Sequence, residues 1–221
     1  MQCEKEGFLK FMPHYLRPGL RNLMMLNFRL GHFKSVWNRK CTDARGEPLP
    51  WYTYPAIEYV KQLELRDCVV FEYGAGFSSL FYAQRCQRVF SVEDNPEWHE
   101  TVSRLAPANS QVILAKSPDE YVNKIHEFNT SFDIVVIDGS HRERCCEPAL
   151  KKLKPTGMII LDNSDWQTSC AAQLAAGNLI QVDMVGFGPL NGYLWATSFF
   201  FSRQFSLKSR MAHQPTMTVG P

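Results

Sequence analysis

The sequence has no apolar run approaching the roughly 20 residues needed to cross a bilayer, so no transmembrane segment is expected. Its N-terminus lacks a basic region followed by an uninterrupted apolar stretch, so no secretory signal is read. A C-x-x-C pair is missing too. The seven cysteines (Cys3, Cys41, Cys68, Cys86, Cys145, Cys146 and Cys170) are an odd number without that spacing. This argues against a disulfide framework and against a zinc knuckle. Reduced thiols and a cytoplasmic location are the expectation, and nothing in the pattern marks a nucleophile. Strong net charge is also absent. A formal +2 over 221 residues is too small to indicate a nucleic-acid binder. With 45% hydrophobic and 21% charged residues, a disordered or collagen-like chain is excluded.

The charge is unevenly placed. Residues 1–45 carry nine Lys/Arg against three acids, which gives +6 there and −4 for the other 176 residues. The basic character belongs to an N-terminal arm. From about residue 68 the pattern becomes regular. Short apolar runs at 68–71, 88–92, 111–114, 132–137 and 158–161 alternate with helix-length segments near 78–86, 96–105, 117–127, 143–153 and 167–176. Near-continuous apolar strands alternating with crossover helices are the sequence form of an open, mostly parallel α/β sheet. After residue 177 the runs at 179–185 and 195–201 flank a Gly/Pro-rich loop too short for a helix. These last two strands are expected to form a hairpin with one member antiparallel to the rest. The predicted fold is a Rossmann-like, doubly wound, mostly parallel seven-stranded sheet with a C-terminal antiparallel hairpin. The predicted domains are a helical basic arm or lid (1–55), the α/β domain (56–205) and a frayed tail (206–221). In the arm, residues 21–30 are expected to form a helix with Leu23, Leu26 and Leu30 on one face. Another helix is expected over 56–65.

The most informative stretch is Glu72-Tyr73-Gly74-Ala75-Gly76-Phe77-Ser78-Ser79. A strand ends in an acid, a Gly-x-Gly turn follows, and a helix starts at a serine. Small residues let the backbone approach a ligand, and a helix N-terminus offers free amides. A dinucleotide fingerprint would have a third glycine where Ser79 stands, and an acid two residues before the first glycine is awkward beside a pyrophosphate. The acid suits S-adenosylmethionine, which carries an ammonium and a sulfonium and no phosphate. Glu93 closes the second strand 21 residues after Glu72, the spacing at which a carboxylate accepts hydrogen bonds from a ribose diol.

On these residues the chain resembles the class I S-adenosylmethionine-dependent methyltransferases over about residues 56–202. The resemblance implies that Glu72, Gly74, Ala75, Gly76 and Ser78 line the methionine end and that Glu93 holds the ribose. Ser117 would lie near the adenine, and Asp138 would also border the cofactor. Ser117 and Asp119 equally suit the cap and first turn of a helix over Pro118.

The fourth strand ends Asp138-Gly139-Ser140-His141 and the fifth Asp162-Asn163-Ser164-Asp165. Two carboxylates and an amide oxygen at neighbouring strand ends are a candidate Mg²⁺ site, with Asp138, Asp162 and Asn163 as ligands and Asp165 as a substitute for Asn163. A cation there would bind an acceptor hydroxyl and lower its pKa. The arrangement is similar to the metal-dependent O-methyltransferases of the catechol and macrolide-sugar types, which implies His141 as general base. The competing readings are turn-forming strand ends, and a metal-free variant in which Asp138 or His141 polarises the hydroxyl alone.

The expected function is S-adenosylmethionine-dependent O-methylation of a small molecule or a sugar or glycan precursor. Trp51, Tyr52, Tyr54, Trp166, Tyr193 and Trp195 are candidates for lining the acceptor pocket, at least half of them being ordinary core. Two other classes remain. One is a methyltransferase-like binding module without catalysis. The other is a nicotinamide-dependent oxidoreductase, which Glu72 and Ser79 disfavour. The arm could serve as a lid, as an anchor to an anionic surface or as a dimerisation element. Its apolar positions (Phe8, Leu9, Phe11, Met12, Leu23, Met24, Leu26, Phe28, Leu30) favour packing on the domain or on a second subunit in a homo-oligomer.

Overall fold

Each apolar run becomes a strand in the computed structural model, which describes residues 12–212. Strands β1 (Val69–Tyr73), β2 (Arg88–Glu93), β3 (Ser110–Leu114), β4 (Phe132–Ile137), β5 (Leu153–Asp162), β6 (Ile180–Gly186) and β7 (Trp195–Phe201) form one sheet. Their order is β3-β2-β1-β4-β5-β7-β6. Neighbours among β1–β5 are parallel, and β7 runs antiparallel between β5 and β6. The expected sheet and its closing hairpin are both present.

Burial on two faces explains the continuous apolar runs. In β4, Ile134 and Val136 join one core cluster while Val135 and Ile137 join the other. In β5, Met158 and Ile160 alternate in the same way with Ile159 and Leu161, and in β7 Phe199 opposes Phe200. This is the period of two that side chains on a pleated strand must follow. One face is covered by α3 (Tyr54–Lys61) and α4 (Phe77–Ala83), through Ile57, Val60, Phe81 and Tyr82. The other holds Tyr121 and Val122 of α6 (Pro118–Asn123), Cys145, Cys146 and Ala149 of α7 (Arg142–Lys152), and Cys170 and Leu174 of α8 (Thr168–Ala176). Between β2 and β3 runs α5 (Pro96–Leu105). It and α6 start alike: Asn95 Oδ1 accepts from the Trp98 amide and Ser117 Oγ from the Glu120 amide, each cap followed by a proline.

The arm departs from a single helix. It consists of α1 (Arg17–Met24), a π-wound turn (Met25–Arg29) and α2 (His32–Asn38). The Leu30 amide bonds Met25 O at 3.0 Å, five residues back. That wider turn changes the angular step between side chains, so a stripe set by a 3.6 period is not kept. Leu26 and Leu30 pack on the core, whereas Leu23 is exposed. Phe8, Leu9 and Phe11 lie outside the described residues.

The start of the expected frayed tail is pinned. The Glu64 amide bonds Lys208 O, and the Arg210 amide bonds Gln62 O at 2.7 Å. Backbone bonding to the end of α3, invisible to composition, holds residues 206–212 in place.

Candidate functional site

The parallel register brings the carboxyl ends of β1, β2, β4 and β5 level, with Tyr73 opposite both Val92 and Ile137, and Ile137 opposite Leu161. The sheet order reverses between β1 and β4, where open α/β sheets place their ligands. The loops after these two strands touch through glycines. Gly74 has φ +96°, and a Cβ there would come within 2.8 Å of Gly139 Cα. A Cβ on Gly139 would come within 2.1 Å of the Tyr121 hydroxyl. Gly76 differs, since its Cβ would meet only Trp98, at 4.0 Å. Its small size leaves open space above the loop rather than relieving a clash.

A cavity of about 460 Å³ occupies that space. Its lining includes Gly74, Ala75, Gly76, Ser78 and Glu93 on one side, and Asp138, Gly139, Arg142, Asp162 and Asn163 along the strand ends. Trp51, Trp166 and Tyr193 provide aromatic wall, while Trp98, Arg39, Lys40 and Cys41 complete the rim. The segment after the arm is tied to the hairpin loop by the Trp51 indole bonding Asn191 Oδ1 at 2.8 Å and the Tyr54 amide bonding Phe187 O at 2.6 Å. Half of the six candidate aromatics therefore line the cavity. Tyr52, Tyr54 and Trp195 are buried.

Glu72 lies beneath the loop rather than in the cavity lining, and it is fully buried. Ser91 donates to its Oε2 at 3.0 Å, and Ser91 Oγ is also 3.0 Å from Ser79 Oγ. Ser79 in turn accepts from the Gly76 amide at 3.1 Å. The serine at the third-glycine position thus closes the turn upon itself. Glu72 Oε1 has no hydrogen-bond partner among the described residues. Burial pushes this carboxyl up to about 7, although the hydroxyls of Ser79, Ser78 and Ser91 pull it down. Glu93 is held differently: its carboxylate accepts from the amides of Asp94, Asn95 and Ala75 at 2.9–3.1 Å and still reaches the cavity. These features fit S-adenosylmethionine. An orphaned buried carboxylate oxygen lacks a cation, a glycine cradle stands open, and an oriented acid faces the cavity where a diol would sit.

The β4–β5 end is organised by Arg142, at the start of α7. Its Nε donates to Gly139 O, one terminal nitrogen to Asp162 O and Asn163 Oδ1, and the other to Asp138 O and Asp138 Oδ1, at 2.6–3.1 Å. All five N–H groups of the guanidinium are used. Asp162 Oδ1 accepts from the Trp195 indole at 3.0 Å and from Thr197 Oγ1 at 2.5 Å. Burial raises the Asp138 carboxyl to about 7, with Arg142 opposing and Glu72 adding. Asp162 is raised further, by burial and by Asp138. Asp138 and Asp162 are thus two carboxyls, both raised by burial, that titrate as a coupled pair.

This geometry does not fit the expected Mg²⁺ site. Asp138 and Asn163 are brought together with Asp162, but a guanidinium already lies between them and takes Asp138 Oδ1 and Asn163 Oδ1, placing a positive charge where a cation was expected. Among the described residues, no group of three or more His, Cys, Asp or Glu could hold a metal ion. His141 is also directed elsewhere. Its Nε2 is 3.8 Å from Asp94 Oδ2 and its ring packs on Tyr121, so it faces the β2 side and not Asp162. A left-handed φ of 52° at His141 turns the chain that way. Ser117 is the α6 cap and lies outside the cavity lining. Cys41 borders the cavity, but burial together with Asp138 and Asp162 drives its thiol pKa far up, so it is no nucleophile.

Sequence reasoning missed Arg142, although a cation one helical turn beyond a strand-end acid is a legible signal. Thr197 could not have been found in this way, because its place opposite Asp162 depends on the β5–β7 register.

Comparison with known proteins agrees with this fold. Residues 71–164 match the family model described as a methyltransferase domain. The precorrin-6y C5,15-methyltransferase of Geobacter metallireducens superimposes with a TM-score of 0.54 at 17% identity, over 75% of this chain and 95% of that one. The fibrillarin pre-rRNA processing protein of Methanococcus jannaschii gives 0.50 at 18% identity, over 69% and 76%. No curated protein sequence matches. The architecture is the Rossmann-like methyltransferase fold. The domain match and the fold together support an S-adenosylmethionine-dependent methyltransferase.

Proposed function

We propose that the protein methylates a hydroxyl on a small molecule or a sugar or glycan precursor, without a metal ion. The observation that carries this reading is the single cavity joining the Gly74–Ser78 loop to Asp138, Asp162 and the walls of Trp51, Trp166 and Tyr193. It is one continuous cleft with the glycine loop and Glu93 at one end and an aromatic wall at the other. Flat apolar walls suit sugar and phenol rings alike.

When bound, S-adenosylmethionine supplies an electrophilic methyl on its sulfonium. Glu72, buried beneath the loop, acts on the positive methionine end through its charge rather than by contact, Glu93 accepts from the ribose hydroxyls, and the loop amides orient the remainder. Asp138 Oδ2 has no protein partner among the described residues and serves as general base, taking the acceptor's proton as the new C–O bond forms and the C–S bond breaks. A carboxyl poised near 7 suits that task at neutral pH. Asp162, fixed by Trp195 and Thr197, hydrogen-bonds the acceptor hydroxyl or its neighbour and fixes its direction. Arg142 holds both strand ends in place, which makes it a positioning residue. No step in this scheme calls on a metal, and Arg142 already supplies a positive charge between the two strand ends.

The decisive experiment is calorimetric titration with S-adenosylmethionine, followed by methyl transfer to a panel of phenols and sugars with and without EDTA. Binding with EDTA-insensitive transfer to hydroxyls supports the reading. Transfer only to amines overturns the acceptor class, and loss of activity in EDTA overturns the metal-free mechanism.

A further inference from the structure

Between Met12 and Thr42 the sequence holds six Lys/Arg residues and no Asp or Glu. The same stretch exposes large apolar side chains. Phe28, Phe33 and Trp37 are 64%, 55% and 77% exposed. Their rings form one continuous ridge across the π-wound turn and α2, with Phe28 and Phe33 6.4 Å apart and Phe33 and Trp37 6.0 Å apart. Leu23 and Met24 of α1 are also exposed. Arg29, Arg39 and Lys40 border this ridge in sequence, are exposed, and make no ion pair among the described residues. A folded monomer gains nothing by holding such a ridge in water.

We infer that this face docks on an anionic phospholipid surface, with the aromatic ridge in the headgroup–acyl boundary and the cations against the headgroups. Aromatic and aliphatic side chains beside Lys/Arg, on short helices unable to span a bilayer, are the chemistry of an interfacial anchor. Charge complementarity selects this occupant. A second copy joined by a two-fold axis would set the acid-free, cationic patch against itself. Single-stranded RNA would need open ring faces, but Phe33 and Trp37 stack on each other at 27° and so occupy one face of each ring. The inference has a consequence for the cavity, since Arg39 and Lys40 also stand on its rim. Docking would bring the rim near the headgroup layer, where an amphiphilic acceptor could be met. The surface itself does not depend on the catalytic reading.

The test is co-sedimentation of the full chain with vesicles of phosphatidylcholine, alone or mixed with phosphatidylglycerol. The expected result is binding to the mixed vesicles that weakens with salt, and little binding to phosphatidylcholine. Phe33→Ser and Trp37→Ser should each abolish most of it. Arg29→Gln and Lys34→Gln should each weaken it about fivefold. All four positions are on or near the surface, and circular dichroism checks that each variant is folded. Equal binding to both vesicle types, or unchanged binding by Trp37→Ser, overturns the proposal. So does an absence of vesicle binding, whether the same variants instead abolish self-association, RNA binding or nothing.

Discussion

The two ends of the strand-end cleft contrast sharply. Under the β1 loop a buried carboxylate keeps one oxygen without a partner, and the glycine cradle above it is open. At the β4–β5 end every N–H of Arg142 is committed, as are the Asp138, Asp162 and Asn163 oxygens it and the hairpin reach. The first end leaves a polar demand unmet within the described residues, and an unpaired buried carboxylate oxygen is costly. The second has already met its demand from within the chain. A site that needs a cation is distinguished from one that carries its own by counting donors against acceptors.

The largest expected effect comes from breaking the self-satisfied end. Arg142→Ala removes the guanidinium's bonds to the Asp138 carboxylate, the Asn163 side chain and three main-chain carbonyls, those of Asp138, Gly139 and Asp162, and should cost about 3 kcal/mol in thermal or urea unfolding. Activity should fall with it. A near-neutral effect would erase the contrast, and an Arg142→Ala enzyme newly activated by Mg²⁺ would sharpen it.

Next is the unsatisfied end. Glu72→Gln should weaken S-adenosylmethionine binding roughly tenfold or more by calorimetry, the scale of a buried charge-assisted bond. The pH dependence carries a sign that can be checked. Burial raises the Glu72 and Asp138 carboxyls to about 7, above their unfolded values. Their contribution to the stability of the free protein is therefore fully present below about pH 4 and is lost as pH rises through 7. Cofactor affinity should run the other way, increasing from pH 6 to 8 as Glu72 ionises to meet the cationic methionine. Glu72→Gln should flatten both slopes.

A smaller effect separates the bases. Asp138→Asn should abolish most turnover while leaving the ordinary Arg142 contact to its carbonyl. His141→Ala should change turnover by no more than about twofold, the range of a substitution outside the machinery. Loss of activity in His141→Ala with unchanged cofactor affinity would restore the imidazole as base.

Much of this was legible in the sequence because one-dimensional patterns encode it. Burial on two faces makes parallel strands continuously apolar, so β1 to β5 could be read within a few residues. The Gly-x-Gly turn and the acids Glu72 and Glu93 follow from strand ends that are local in the chain. The metal assignment and the role given to His141 both turn on something the order of residues does not report. Asp138, Asp162 and Asn163 were recognised by type, but who bonds them depends on a guanidinium and on a hairpin strand that reach them only in space. Likewise the direction of His141 depends on one left-handed residue, and types alone do not report it.

The sequence by itself determined the sheet, its closing hairpin, the nucleoside-type loop and the acid-poor, basic arm, since periodicity, turn residues and charge counts are local properties. Tertiary structure alone decided that Arg142 sits where a metal was expected, that Glu72 keeps an unmet oxygen, and that Phe28, Phe33 and Trp37 share one exposed ridge. Those outcomes rest on which groups meet across the fold, and the free energy of a polar or apolar group is set by what surrounds it.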